Sequence, residues 1–381
     1  MKIAFCGDIM PAAEIGERVG ESSLVDWLSG VSDAWHDAEA LIGNLESPCV
    51  VEAKLVPKTQ PELAFRSPAS RVRELAKAGF SAVTLANNHV LDCGPDGLRE
   101  TMQALDDAGI RHAGAGMNLN EALRPALLPL GDKTLGIVAF SYGPPATSKR
   151  PGAALCDRKT MAQGLSRART SCDVLVAALH DGLEYSDVPP RKTRERLRFL
   201  AENGADIVVG HHPHVLQGVE WNGGVPIACS LGDLLFHNSL PAVTKRNFAR
   251  MALPVREPEE VRRDPEKFLR GAVLTIEVSE GNKVVEWHPF RQDSELRPQL
   301  CSGETLVEDL QRLDALGAAL LDPKNPRQAM ADRVMEACFK ETRAALQWRE
   351  LLDLSRRPKW RYVPLGVSWL AARLKKAVLG A

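Results

Sequence analysis

The chain lacks an excess of charge of either sign: 48 Lys and Arg stand against 49 Asp and Glu among 381 residues. Without a global field there is no general attraction for nucleic acid or a membrane, and nucleic acid is not an expected partner. The chain also lacks CxxC pairs. Its eight cysteines (6, 49, 93, 156, 172, 229, 301 and 338) are scattered, several within apolar strand-like runs, which suits reduced, buried thiols. No uninterrupted apolar stretch reaches the length of a membrane span. Met1-Lys2-Ile3-Ala4-Phe5 leads straight into a strand, leaving no room for a signal peptide or an N-terminal anchor. These absences lead us to expect a cytoplasmic protein. A Gly-rich nucleotide loop and a nucleophile elbow are missing too, which counts against amide-bond formation or cleavage.

What the chain does have is a concentration of histidine. Asp206-Ile207-Val208-Val209-Gly210-His211-His212-Pro213-His214 holds three of the nine histidines within four residues. Its β-branched run predicts a buried strand, and Gly210 lets the chain turn sharply and aim three imidazoles at one spot. Neutral imidazole is the commonest side-chain metal ligand, and an X-Pro bend leaves its neighbours little freedom to lose.

The same pattern, polar groups directly after a strand, recurs along the chain. Strands expected at 2–6, 41–42, 82–85 and 174–179 run into Gly7-Asp8-Ile9-Met10, Gly43-Asn44-Leu45-Glu46, Ala86-Asn87-Asn88-His89 and His180-Asp181-Gly182-Leu183-Glu184-Tyr185. Helices are expected at 24–40, 70–78, 98–108, 158–170 and 190–203, hairpins at 126–140 and 218–229, and further strands at 250–254, 271–279 and 283–289. Open α/β sheets gather chemistry at the carboxyl ends of their strands, so one parallel sheet could present Asp8, Asn44, Glu46, Asn88, His89, His180, His211, His212 and His214 along one edge. A set mixing carboxylate, amide oxygen and imidazole suits a divalent transition metal (Mn, Zn or Fe), and its size accommodates one or two ions. An imidazole left off the metal could protonate a leaving group. Arg66, in the proline-punctuated loop 51–68, could reach an anionic substrate.

From about residue 300 the composition turns to Ala, Leu, Arg and Glu, so two parts are expected: 1–299, and a C-terminal helical extension, 300–381. Its helices are placed at 306–320, 327–354 and 366–379. In the last, Val367, Leu370, Ala371, Leu374 and Val378 line one face while Arg373, Lys375 and Lys376 lie elsewhere. A basic amphipathic terminus near Trp360 and Trp369 can lie on anionic lipid, which would make the protein peripheral at the inner membrane face.

Taken in order, Gly7-Asp8-Ile9-Met10, Gly43-Asn44-Leu45-Glu46-Ser47-Pro48, Asn87-Asn88-His89, His180-Asp181-Gly182-Leu183-Glu184-Tyr185, Gly210-His211-His212-Pro213-His214 and Ser230-Leu231-Gly232-Asp233 resemble the signatures of the CapA-type capsule (poly-γ-glutamate) biosynthesis proteins. That family is similar in turn to the calcineurin-like metallophosphoesterases. The resemblance covers roughly residues 1–290 and implies an α/β fold, a four-layer α/β/β/α sandwich of the metallophosphoesterase type. It also implies site roles. Asp8 matches the first Asp of an Asp-x-His motif, with Met10 where the His would be. Asn44 falls on the usual bridging Asp, and Glu46 is a candidate replacement. Asn88 and His89 match an Asn-His pair in which Asn binds metal and His helps protonate the leaving group. His180, His212 and His214 match metal histidines, while His211 is a further catalytic or substrate-contacting imidazole. Asn44, Arg66, Tyr185 and Asp233 complete the expected set on the substrate side.

The function implied is a metal-dependent, phosphoesterase-like hydrolase linked to capsule or poly-γ-glutamate synthesis, acting on an anionic small molecule or polymer. The alternatives are a non-hydrolytic polymer-binding or assembly factor at the membrane, and an enzyme acting on γ-glutamyl amide bonds.

Overall fold

The computed structural model describes residues 1–20, 22–56, 64–236 and 266–336. The strand expected at 250–254, the rest of the helix begun at 327, and the basic terminus 356–381 lie outside the described residues. In chain order, the strands of the two large sheets are β1 (Lys2–Ile9), β2 (Ala40–Leu45), β3 (Phe80–Thr84), β4 (Arg111–Ala113), β5 (Ala126–Leu130), β6 (Lys133–Ser141), β7 (Val174–His180), β8 (Ile207–His211), β9 (Val219–Asn222), β10 (Val225–Ala228), β11 (Asp233–Leu235), β12 (Arg270–Ser279), β13 (Asn282–Gln292) and β14 (Pro298–Leu300). One sheet runs β14-β13-β12-β1-β2-β3-β4, with β11 also pairing β1; the other runs β9-β10-β8-β7-β6-β5. The principal helices are α1 (Ser70–Lys77), α2 (Gly94–Asp107), α3 (Arg158–Arg169), α4 (Arg191–Glu202) and α5 (Gly303–Leu321). The expected α/β fold class is the one observed.

Alternation along the strands divides the apolar side chains among three cores. Ile3 and Phe5 of β1 meet Val174, Val176, Ile207 and Val209 of the second sheet, forming the core that the two sheets share. The intervening Ala4 and Cys6 turn the other way and pack with Leu75 of α1 and Leu98 and Leu105 of α2. On the second sheet Leu175, Ala177, Leu179 and Val208 face Met161 and Leu165 of α3 and Leu197 and Leu200 of α4. Strands buried on both faces read as continuous apolar runs, which is why β7 and β8 stand out in the sequence.

Two elements differ from expectation. The helix expected over 24–40 is a short helix, Leu24–Trp27, followed by a 3₁₀ turn, Ser29–Ala34. The hydroxyls of Ser29 and Ser32 donate to the carbonyls of Asp26 and Ser29, competing with the helical ladder. Strand β1 continues through Gly7 to Ile9 because it changes partner midway. Lys2 to Phe5 pair antiparallel with β12, then Asp8 and Ile9 pair parallel with β11.

The first helix past residue 300 packs on the body. Helix α5 buries Leu313 and Leu316 against Leu216 and Ala272, and its Asp309 accepts a hydrogen bond from Arg291 Nε at 2.8 Å. Gly218 meets α5 so closely that a Cβ there would lie 2.4 Å from the Gly317 nitrogen. No described helix is long and apolar enough to cross a membrane.

Candidate metal centre

Strand register sets the site. Asp233 of β11 pairs with Asp8 of β1, Asp8 with Asn44 of β2, and Asn44 with Thr84 of β3. Residues paired in register project to the same face, so these four side chains form one row across the first sheet. In the second sheet Ser141, His180 and His211 are paired in the same way. The two rows meet: the His212 backbone N–H donates to Asp8 Oδ2 at 3.1 Å, and His211 Nδ1 lies 3.1 Å from Asp8 Oδ1. The expectation of a single sheet edge is therefore corrected. The loops after β1 and β2 face those after β7 and β8, and the cluster bridges two sheets.

Asn44 sits at the centre of the cluster. Its Oδ1 accepts from Thr84 Oγ1 at 3.1 Å and Asn87 Nδ2 at 3.3 Å, which turns its Nδ2 toward Asp8 Oδ1 at 2.8 Å and Glu46 Oε2 at 3.5 Å. Glu46 Oε1 lies 3.4 Å from His180 Nε2, and Asn88 Oδ1 lies 2.8 Å from the same nitrogen. His212 Nε2 is 3.2 Å from the Tyr142 hydroxyl. His214 Nδ1 is 2.8 Å from Asp233 Oδ1 and 3.5 Å from Asp8 Oδ2. His212 and His214 both have positive φ, 97° and 57°, a conformation costing about 1–3 kcal/mol per residue and held only where the surroundings impose it.

Asp8, Glu46, His180, His212, His214 and Asp233 are all buried, and the charges perturb one another strongly. Burial would raise the Asp8 carboxyl, but His211 beside it and the nearby His180 and His214 outweigh that and hold it well below the usual carboxylate range. Burial and the Asp8 charge push Glu46 well above its ordinary value. His180 is driven well below the ordinary imidazole range by burial and by His212, and His212 is pushed down to about 3 by burial and His214. His214 goes the other way: burial opposes its charge, but Asp233 and Glu46 raise it well above the ordinary range.

Carboxylates and imidazoles gathered this closely away from water are suited to sharing a cation. The donor set fits one. Glu46 Oε1 and His212 Nδ1 are buried with no hydrogen-bond partner, and a bound cation would satisfy them. Three ligand triads have atoms within 4.8 Å of one another: Glu46, His212 and His214; Asp8, His214 and Asp233; and Asp8, Glu46 and His180. Oxygen and imidazole together suit a divalent transition metal.

Around this core lie groups that the sequence reading did not single out. Asp92 Oδ2 is 2.9 Å from His89 Nδ1 and accepts the Phe65 backbone N–H at 2.8 Å, while His89 Nε2 faces Glu46 Oε1 at 3.9 Å. The signal was the i, i+3 spacing of His89 and Asp92 in one turn. Tyr142, against His212 and His180, carried no comparable signal. Met10 is buried with Ala12 and Phe236, and Phe65 packs on the same cluster. Phe65 meets the His89 ring at 4.9 Å between centroids and Phe236 meets the His214 ring at 4.1 Å, so an apolar wall borders the site. Tyr185 is buried, its ring 6.3 Å from that of His214, whereas Arg66 is exposed beside Phe65.

Fold and site together define an α/β protein with a candidate divalent-metal centre built where two sheets meet. The family described as bacterial capsule synthesis protein PGA_cap matches residues 2–238, and the chain belongs to that family. It is 28% identical over 244 residues to the PGA biosynthesis protein CapA of Bacillus subtilis, a match covering 62% of this chain and 63% of that protein. To the capsule biosynthesis protein CapA of Bacillus anthracis it is 29% identical over 246 residues, covering 62% of this chain and 60% of the other. The chain thus spans just under two thirds of these relatives' length. Among solved structures, a novel phosphatase of Mycoplasma pneumoniae is similar at a TM-score of 0.48 and 12% identity, covering 82% of this chain and 98% of the other.

Proposed function

We propose that the protein is a metal-dependent phosphoester hydrolase serving capsule or poly-γ-glutamate synthesis. The observation that carries this reading is the buried cluster of Asp8, Glu46, His180, His212 and His214, in which Glu46 Oε1 and His212 Nδ1 have no hydrogen-bond partner. Asn88, whose Oδ1 already meets His180, would join them as a metal ligand. When bound, a divalent ion supplies Lewis-acid polarisation of a phosphoryl oxygen. The chain's own residues would do the rest. Asp92 accepts from His89 Nδ1 and fixes the orientation of the ring, so that Nε2 faces the cluster and can hand a proton to a departing oxygen. Thr84 and Asn87 lock Asn44, which orients Asp8 through its amide. Substrate contacts from Tyr185 and the exposed Arg66 belong to the same proposal.

The test is turnover of p-nitrophenyl phosphate and bis-p-nitrophenyl phosphate with Mn, with Zn and with chelator. Turnover that chelation abolishes supports the hydrolase; metal-loaded protein inert toward both esters refutes it. One observation favours a second, non-hydrolytic reading as a polymer-binding factor. Asn44 places an amide nitrogen, with no charge, at the position facing both Asp8 and Glu46, which lowers the ligand charge available. Inclusion of γ-glutamyl-p-nitroanilide in the same assay covers cleavage of an amide. A cytoplasmic location, peripheral at the membrane, remains part of the proposal and is read by fractionation.

A further inference from the structure

We infer that Tyr142 is a positioning residue for the metal centre: its hydroxyl accepts the Nε2 proton of His212 and so leaves the Nδ1 lone pair of that ring for the ion. The inference rests on the proposed reading that the cluster holds metal, and it names the group that prepares one of the ligands. Its basis is the difference between the two nitrogens of one ring. His212 Nε2 lies 3.2 Å from the Tyr142 hydroxyl, whereas His212 Nδ1 is buried with no hydrogen-bond partner. A neutral imidazole carries a single N–H, on one nitrogen or the other. If Tyr142 donated, Nδ1 would hold a buried N–H with nothing to receive it, an arrangement that native structures avoid. If His212 donates, Nδ1 keeps its lone pair. The ring also belongs to a triad with Glu46 and His214 whose ligand atoms lie within 4.8 Å of one another, and Glu46 Oε1 is likewise buried without a hydrogen-bond partner.

Tyr142 is held where it can act in this way. It follows directly on Ser141, the last residue of β6, which is paired in register with His180. Its ring lies 6.3 Å from the His180 ring at 26° and 5.0 Å from the His212 ring at 66°, so it backs two imidazoles of the cluster. The Gly143 N–H donates to Ser141 Oγ at 2.9 Å, closing a turn across Tyr142. A Cβ on Gly143 would lie 2.4 Å from Asn87 O, so this turn rests directly on the loop that carries Asn87 and Asn88. On the far side the His212 backbone N–H donates to Asp8 Oδ2 at 3.1 Å. His212 is thus held at its backbone and at Nε2, and the nitrogen that remains is Nδ1. Metal-binding histidines characteristically donate their second ring N–H to a fixed acceptor, which sets the tautomer and the ring orientation.

The test uses the full chain and two readouts. In metal-free protein with isotope-labelled histidine nitrogens, NMR reads which ring nitrogen of His212 is protonated, the signal being the one lost in His212→Gln. We expect the proton on Nε2 in the wild type and a mixture of tautomers in Tyr142→Phe, which keeps the ring and removes the acceptor. Calorimetric titration with Mn and with Zn should show Tyr142→Phe binding about tenfold more weakly or worse, with far-UV circular dichroism unchanged. A proton on Nδ1 in the metal-free wild type would overturn the inference. Wild-type metal affinity in Tyr142→Phe would overturn it too, leaving Tyr142 as packing behind His180 and His212. Wild-type protein that takes up neither metal would overturn the metal reading and the inference with it. Because the tautomer is read without metal, that failure is distinct from a failure of the bond between Tyr142 and His212.

Discussion

Replacing Gly7 by alanine drives a methyl group into the backbone of Gly232. A Cβ at position 7 would lie 1.8 Å from the Gly232 carbonyl oxygen and 2.7 Å from its carbon, where ordinary contact begins near 3.4 Å. The obstructing atoms are backbone, so no side chain can swing aside, and β1 and β11 must part by more than an ångström. That same carbonyl accepts the Asp8 N–H at 3.1 Å, a hydrogen bond that separation would break. Overpacking costs about 1–3 kcal/mol and an orphaned buried N–H about 1–3 kcal/mol more, which together give about 4 kcal/mol. Against a typical total of about 5–15 kcal/mol this is a large fraction. Urea denaturation followed by circular dichroism measures it, with Gly16→Ala as control. In the helix Ala13–Val19 a Cβ at Gly16 comes only as near as 3.2 Å to Pro11 O, and helix propensity returns about 0.5–1 kcal/mol. A Gly7→Ala protein within about 1 kcal/mol of wild type would refute the reasoning, since the orphaned N–H alone is put at about that cost.

Other perturbations have equally definite outcomes. His89→Ala should lower phosphoester turnover by about a hundredfold or more while metal content stays unchanged, and full activity would remove His89 as the acid. Phe140→Ala should cost about 3–5 kcal/mol in the same denaturation assay, because Phe140 is 1% exposed in the core between β6 and α3. Glu220 is buried and accepts from Arg194 Nε at 2.9 Å and Arg198 Nε at 3.0 Å. Burial opposes its ionisation, but those arginines hold it below its ordinary value. A depressed carboxylate stabilises the fold above its unfolded pKa of about 4.3 and loses that contribution as pH falls through the folded value. Glu220→Gln should therefore cost about 2 kcal/mol at pH 7, with the difference from wild type shrinking toward pH 3; a difference constant with pH would contradict it.

The sequence announced the site more clearly than the layers that build it. Strands β7 and β8 are legible because burial on both faces makes them continuous apolar runs, and their ends carry His180 and His211. Which strands share a sheet is not legible: β1 pairs with β12, more than 260 residues away, and nothing local in either encodes that contact. The same limit explains why the donors were expected on one sheet edge when they come from two. The partner exchange in β1, which puts Asp233 beside Asp8, depends on two glycine backbones in close approach. The broken helix after Trp27 turned on serine hydroxyls taking carbonyls from the ladder, a competition that apolar periodicity does not register. Asp92 was within reach, since its spacing from His89 put a carboxylate on an imidazole in the same turn.

The most direct test of the metal centre is elemental analysis of the full chain purified without added metal, repeated after chelation and after His180→Ala. The account predicts one or two Mn, Zn or Fe ions per chain, removed by chelator and diminished in His180→Ala. Protein that remains metal-free at every loading would contradict it, and the hydrolase proposal would fall with it.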